Sequence, residues 1–152
     1  MNTTAIRSAS IAGLAFIAGL AVAHGQQPAA AALPPLQAAA IDVGAIQPSD
    51  LPPATTALPT LRQKPLVTAD GVTMAVQIGT VAKHFHADAN EIQIVIAGGG
   101  TEWLGDKQVT LKPGMMLVIP AGTPHAGTTD PNLKIIAIKT PPQGPTDIHF
   151  IP

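Results

Sequence analysis

The chain has 152 residues, which is the length of about one domain. Charged residues make up 11% of it and the formal net charge is −1, so the sequence provides no basic surface for nucleic acid. Because there is no cysteine, disulfide frameworks, thiolate metal sites and cysteine nucleophiles are excluded.

Residues 1–23 have the three regions of a secretory signal peptide. Arg7 lies in a short polar start, residues 11–23 are apolar and uncharged, and the run ends in the small residues of Ala21-Val22-Ala23. The apolar run is too short to span a bilayer comfortably. We therefore expect a periplasmic or secreted protein without stable membrane insertion after signal cleavage. An uncleaved anchor or a buried N-terminal helix are the alternatives.

Residues 24–65 are rich in proline and alanine, and they include the pairs Pro34-Pro35 and Pro52-Pro53. Proline removes a backbone donor and disfavours helix at the residue before it. The segment therefore predicts a partly disordered leader, in which His24 has no supporting partner nearby. Residues 40–46 could instead add a strand to the edge of the folded domain.

From residue 66 onward, short apolar runs alternate with turn residues, and no segment has a helical period. The candidate strands are residues 66–68, 72–81, 91–97, 101–104, 108–111, 115–119 and 133–140. Short strands at nearly regular spacing predict an all-β barrel or sandwich over residues 66–140. Residues 141–152 form a proline-rich tail, where we expect His149 to be solvated.

Three of the five histidines and one of the two glutamates have spacings that suit a metal site. Residues two apart on a strand face the same side, so His84 and His86 project together. The turn after His86 predicts an antiparallel hairpin that brings Glu91 to the same face. A proline-bounded turn delivers His125 from far downstream. Three imidazoles and a carboxylate suit one divalent transition metal ion.

These residues resemble the two motifs of the cupin superfamily. The positions that match are Gly79, His84-Phe85-His86, Glu91 and Gly98 for the first motif, and Gly114, Pro120-Ala121-Gly122 and His125 for the second. The chain is thereby identified as a small single-domain, type-2-like member. The resemblance implies a single jelly-roll β-barrel, one bound ion of iron, manganese, nickel, copper or zinc, and a possible homodimer. It implies no particular reaction.

The lining of the barrel follows from strand alternation. Gln93 shares the face of Glu91, where it either orients a substrate or lies at a solvated rim. Thr129, where the family often has asparagine, is the other uncharged polar side chain expected near the metal. Glu102 has no histidine near it in the sequence and is expected to be solvated. Further lining candidates are Met74, Val76 and Ile78 or their neighbours, Trp103, Met116, Val118, Ile136 and Ile138.

The predicted barrel contains no arginine and no tyrosine, and Lys83 is expected to point outward. Without a cationic clamp, phosphorylated or oxalate-like substrates are disfavoured and a small neutral organic molecule fits better. The resemblance favours a metal-dependent dioxygenase or related oxidoreductase, with Glu91 as ligand and candidate base and Gln93 as a second candidate catalytic residue. The alternative is a non-catalytic periplasmic binding or sensory module.

Overall fold

The computed structural model describes residues 36–69 and 71–152. The predicted signal peptide, His24 and the leader through residue 35 lie outside the described residues. Within the two described ranges, no helix is both long and apolar enough to cross a membrane.

The described part of the chain contains one short 3-10 helix, Pro48–Asp50, followed by ten strands. The strands are β1 (Leu61–Ala69), β2 (Val72–Gly79), β3 (His84–Phe85), β4 (Asn90–Ala97), β5 (Gly100–Leu104), β6 (Lys107–Leu111), β7 (Met116–Ile119), β8 (His125–Ala126), β9 (Lys134–Thr140) and β10 (His149–Phe150). They form two five-stranded sheets, with strand orders β1-β2-β9-β4-β7 and β10-β3-β8-β5-β6. The predicted all-β jelly-roll is confirmed.

The space between the two sheets holds the main apolar core. Side chains that alternate along the first sheet fill it, among them Val95 on β4, Leu117 and Ile119 on β7, and Ile135 on β9. Leu111 at the end of β6 closes the core from the second sheet. The core takes up one part of the interior and leaves the rest of the inner face to polar side chains.

The opposite face of the first sheet is also apolar, and the leader covers it. Leu51, which is only 4% exposed, packs with Val76, Ile78 and Ile136. Five of the named lining candidates belong to this outer cluster and do not line the pocket, so for β2 the alternative of their neighbours is the correct one: Met74, Val76, Ile78, Ile136 and Ile138. Their neighbours Gln77 and Ile135 line the pocket instead. Both faces of these strands are apolar, so alternation alone did not fix which face is internal.

Met116 and Val118 are a second correction to the expected lining, because they are 62% and 58% exposed. Both lie on β7, at the edge of the first sheet. The alternate residue Leu117 points inward and is buried. The pocket therefore receives no side chain from this pair.

Strand β1 begins at Leu61, inside the segment that the sequence assigned to the leader. It contains Pro65, which is tolerated because β1 is an edge strand and its register shifts between Pro65 and Val67. Arg62 is thus part of the folded domain, where its guanidinium donates to the carbonyl of Leu51 at 3.4 Å.

Gly79 ends β2 with a φ of +121°, a conformation that side chains rarely adopt. A Cβ atom at this position would lie 2.1 Å from the carbonyl oxygen of Thr60. The glycine is therefore required for the close approach of the segment that enters β1.

Candidate metal centre

Two of the three clustered histidines come from neighbouring strands of the second sheet. His84 on β3 is the register partner of His125 on β8, and their ring centroids are 4.4 Å apart. His86 directly follows β3, and its ring lies 5.0 Å from that of His84. One ligand nitrogen from each ring lies within 4.8 Å of the others, and all three residues are buried.

Glu91 approaches the cluster from the first sheet. Its Oε2 lies 3.1 Å from Nε2 of His86 and 3.4 Å from Nε2 of His125. The predicted hairpin is wrong, because β3 and β4 belong to different sheets and do not pair. The turn after His86 crosses between the sheets, so the carboxylate faces the imidazoles across the barrel instead of along one strand pair.

Each imidazole is oriented by a hydrogen bond from Nδ1 to a backbone carbonyl. His84 donates to Ala82 at 2.8 Å and His125 donates to Thr123 at 2.9 Å. His86 donates to the carbonyl of Asp147. Because a carbonyl oxygen only accepts, Nδ1 carries the proton in all three rings and Nε2 of a neutral ring presents a lone pair.

The remaining contacts require a positive charge inside the cluster. Nε2 of His125 is buried and has no hydrogen-bond partner, and Nε2 of neutral His86 would face a carboxylate oxygen as one acceptor against another. A divalent metal ion would satisfy both nitrogens together with His84 and Glu91. The donor set and its carbonyl-fixed rings therefore fit a metal.

Burial and neighbouring charges set the protonation of the cluster. Burial, and then the proximity of His125, lowers the pKa of His84 to about 4, which keeps its ring neutral at physiological pH. Burial alone would raise the pKa of Glu91, but its contacts with His125, His86 and Lys139 hold it well below the usual range. Glu91 is therefore an anion beside the Nε2 atoms of His86 and His125.

Gln93 lies two residues along β4 and is buried, not placed at a solvated rim. Its Nε2 donates to Oε1 of Glu91 at 3.1 Å, which holds the carboxylate in place. Its own Oε1 is buried without a hydrogen-bond partner in the described structure. This oxygen is free to accept a hydrogen bond from a molecule in the pocket.

Glu102 on β5 is the main correction to the predicted site, because it is only 2% exposed and lines the same pocket. Its Oε1 accepts the backbone N–H of Ala126, which follows His125, at 3.2 Å. Burial raises the pKa of Glu102 to about 7. The pairing of β5 with β8 brings the two segments together, and nothing in the local sequence around Glu102 signals this long-range contact.

Lys139 and Thr128 also line the pocket. Lys139 on β9 is the register partner of Glu91 and places Nζ 3.4 Å from its Oε2. Thr128, not the exposed Thr129, is buried at the pocket wall. In the sequence, the position of Lys139 near the end of a mostly apolar strand was the one feature that could have indicated its place in the pocket.

The pocket lies between the sheets and is partly open to solvent at its mouth. Its polar wall is made by amide, hydroxyl and charged side chains: Gln63, Gln77, Gln93, Thr128, Glu91, Glu102, Lys139 and Gln143. Apolar side chains such as Leu61 and Ile135 complete the wall. Of the three clustered histidines, His84 borders this space directly.

The raised pKa of Glu102 predicts a pH-dependent loss of stability. The folded carboxyl titrates near pH 7 and the unfolded one near 4.5, so the folded state holds a proton that the unfolded state releases. The contribution of Glu102 to the free energy of unfolding of the metal-free protein should therefore fall as the pH rises from about 4.5 to 7, while the lowered pKa of His84 contributes a rise over much of the same range. Replacement by Glu102→Gln, which stays neutral, should remove this fall.

Urea unfolding at a series of pH values measures the difference between the two proteins. The stability gained by Glu102→Gln should grow with pH and level off above about pH 7. A gap that is constant across the range would contradict the assignment. Asp106→Asn, which removes an exposed carboxyl outside the pocket, is the control for a general effect of charge.

Comparisons with known proteins agree with this architecture. The sequence profile of the family described as "Cupin domain" matches residues 72–139. A protein from Planctomyces limnophilus gives a TM-score of 0.56 at 23% identity, over 80% of this chain and 100% of that one. KdgF from Halomonas sp. gives 0.52 at 20% identity, over 59% of this chain and 87% of that one.

A cupin-2 domain from Rhodospirillum rubrum gives a TM-score of 0.52 at 12% identity, over 61% of this chain and 66% of that one. At these identities the likeness concerns the fold alone. A comparison with curated protein sequences finds no match. The profile match spans β2 to β9 and includes all three clustered histidines and Glu91. Residues 72–139 form a domain of the cupin superfamily.

Proposed function

We propose that the protein is an exported metal-dependent enzyme that acts on a small organic molecule, as a dioxygenase or related oxidoreductase. The observation that carries this proposal is the arrangement of three buried imidazoles whose Nδ1–H groups are fixed by backbone carbonyls. The Nε2 atoms of His86 and His125 lie 3.1 Å and 3.4 Å from the ionised carboxylate of Glu91, beside a pocket that His84 lines. Such a site combines an ion-binding set with space for a reactant.

His84, His86, His125 and Glu91 would hold the ion. A bound iron, manganese, nickel, copper or zinc ion would supply Lewis-acid or redox chemistry at this position. Glu91 offsets part of the positive charge of the ion, and Gln93 and Lys139 orient its carboxylate from either side. Because Glu91 is engaged by these partners, its role is that of a ligand more than that of a base.

Glu102 is better suited than Gln93 to move a proton. An amide has no proton to exchange near neutral pH, whereas the buried carboxyl of Glu102 has a pKa of about 7 in the same pocket. It can take a proton from a bound hydroxyl or return one to a leaving oxygen. Gln93, with its unpartnered Oε1, would position the molecule on which Glu102 acts.

The wall of the pocket supports a neutral, partly apolar substrate. Gln63 and Gln77 form an amide pair at 3.2 Å and present uncharged donors and acceptors. The ammonium of Lys139 is engaged by the carboxylate of Glu91 and by Gln143. A molecule with one or two hydroxyl or carbonyl oxygens on an apolar frame therefore fits better than a phosphorylated one.

A binding or sensory module without catalysis is the second candidate. The amide pair of Gln63 and Gln77 favours it, because side-chain amides recognise a ligand by hydrogen bonds without taking part in proton transfer. In that case a bound molecule would be released unchanged, whereas an enzyme would consume it.

We also propose export to the periplasm or the medium, no nucleic-acid partner, and a homodimer. The predicted signal peptide and the weak net charge support the first two proposals. Exposed Met116 and Val118 on the edge strand β7 support a contact between two copies, which light scattering in solution would measure.

N-terminal sequencing of exported protein should start after Ala23 or Gly25, and an intact Met1 there would contradict cleavage.

Activity is tested by oxygen uptake and product analysis on protein loaded separately with each of the five metals. Phenols, ketones and thiols without phosphate form the substrate panel. We expect consumption of at least one class, and Glu102→Gln should lower its kcat by about 100-fold with a much smaller change in KM. Asp106→Asn is the matched control for loss of a carboxylate.

Two results would count against this account. If every compound that binds is recovered unchanged with all five metals, the binding module replaces the enzyme. If Glu102→Gln retains full kcat on a consumed substrate, the proton-transfer role of Glu102 is wrong while the metal site stands.

A further inference from the structure

The C-terminal tail reaches the metal centre, although it lies beyond the region that matches the cupin profile. We propose that Asp147 is a positioning residue for His86, so that residues 144–152 act as a latch on the metal centre. This inference rests on the proposed binding of a metal by the histidine cluster.

The carboxylate of Asp147 holds the turn that follows His86. Oδ1 accepts the backbone N–H groups of Ala87 at 2.6 Å and Asp88 at 3.2 Å, and Oδ2 accepts that of Ala89 at 3.1 Å. Asp147 is only 4% exposed. Burial alone would raise its pKa, but the three N–H donors lower it below the usual value. A single ionised carboxylate therefore satisfies three consecutive amides.

The main chain of the same residue orients the imidazole. The carbonyl of Asp147 accepts the Nδ1–H of His86, 61 positions away in the sequence. The corresponding acceptors for His84 and His125 are the carbonyls of Ala82 and Thr123, each two residues before its histidine. His86 therefore differs from the other two rings, because its orientation depends on a distant segment of the chain.

Outside Asp147, no residue of 144–152 is buried, and strand β10 is the part of the latch that pairs with another strand. Strand β10 has two residues, both exposed, and pairs with β3 through His149 and Phe150. The rings of Phe85 and His149 stack at 4.8 Å, and the N–H of Ile151 donates to the carbonyl of Lys83 at 3.0 Å. The buried carboxylate is thus the main anchor that keeps the tail against the metal centre.

Removing the carboxylate should loosen both parts of this arrangement. The amides of residues 87–89 would lose their acceptors, and the carbonyl that fixes His86 would no longer be held at the ring. Hydrogen-bond partners of metal-binding histidines typically change metal affinity by about 10–100-fold when they are mutated. The same range is expected here, together with a changed coordination spectrum.

The test uses Co²⁺ as the probe and the full exported chain. Affinity and the visible absorption of the Co²⁺ complex are measured for wild type, Asp147→Asn, Asp147→Ser and His86→Ala. Asp130→Asn is the matched control, because the Asp130 carboxylate also accepts two backbone N–H groups, those of Gly99 at 2.7 Å and Asn132 at 2.9 Å. Neither of these partners adjoins a clustered histidine in the sequence.

We expect Asp147→Asn and Asp147→Ser each to weaken Co²⁺ binding by about 10–100-fold and to shift the absorption bands. Asp130→Asn should change stability but not the spectrum. Wild-type affinity and spectrum in both Asp147 variants, with loss of binding in His86→Ala, would overturn the latch and leave the metal site intact. A wild type that binds no Co²⁺ would overturn both proposals.

Hydrogen exchange on the wild type tests the latch even if the variants fold poorly. Coupling between two sites is reciprocal, so a metal that needs the latch should in turn stabilise it. Co²⁺ should slow amide exchange at residues 87–89 and at Ile151 together. Unchanged exchange at Ile151 on saturation with Co²⁺ would contradict the proposal.

Discussion

The imidazoles of His84, His86 and His125 donate Nδ1–H to backbone carbonyls, and each neutral ring is left with its Nε2 lone pair. These lone pairs converge beside the ionised carboxylate of Glu91 in a buried part of the barrel. Acceptors that face one another out of contact with water are unfavourable unless a cation lies between them. The pairing of β3 with β8, the crossing turn to β4 and the path of the tail all act to keep this arrangement.

The interior is divided between two kinds of surface. One part is filled by an apolar core that includes Leu117 and Ile135. The other part surrounds the pocket with amide side chains, Lys139 and the carboxyl of Glu102, whose pKa is about 7. Buried polar groups lower stability unless they are paired. The unpartnered Oε1 of Gln93 and the buried carboxyl of Glu102 both lower the stability of the folded state, and both lie where a reactant would bind.

The sequence predicted the all-β fold and most strand positions, because short apolar runs and glycine-rich turns are local signals. The motif spacing grouped the four side chains that lie together around Glu91. Contacts between distant segments were not predictable in this way: Glu102 joins the pocket through the β5–β8 pairing, and Asp147 reaches His86 from a proline-rich tail. The residues of β2 and β9 that face the pocket were not identified correctly, because the outer face of these strands packs against the leader and is apolar as well.

Anomalous X-ray diffraction from crystals of the exported protein, purified without added metal, would show whether the three histidines and Glu91 bind a metal ion. Data collected above and below the absorption edge of the metal found in the sample would locate each ion and identify its element. We expect one peak per chain, enclosed by Nε2 of His84, His86 and His125 and by the carboxylate of Glu91. A cluster without a peak in crystals that have also been soaked in these metals, or a peak held by other residues, would contradict it.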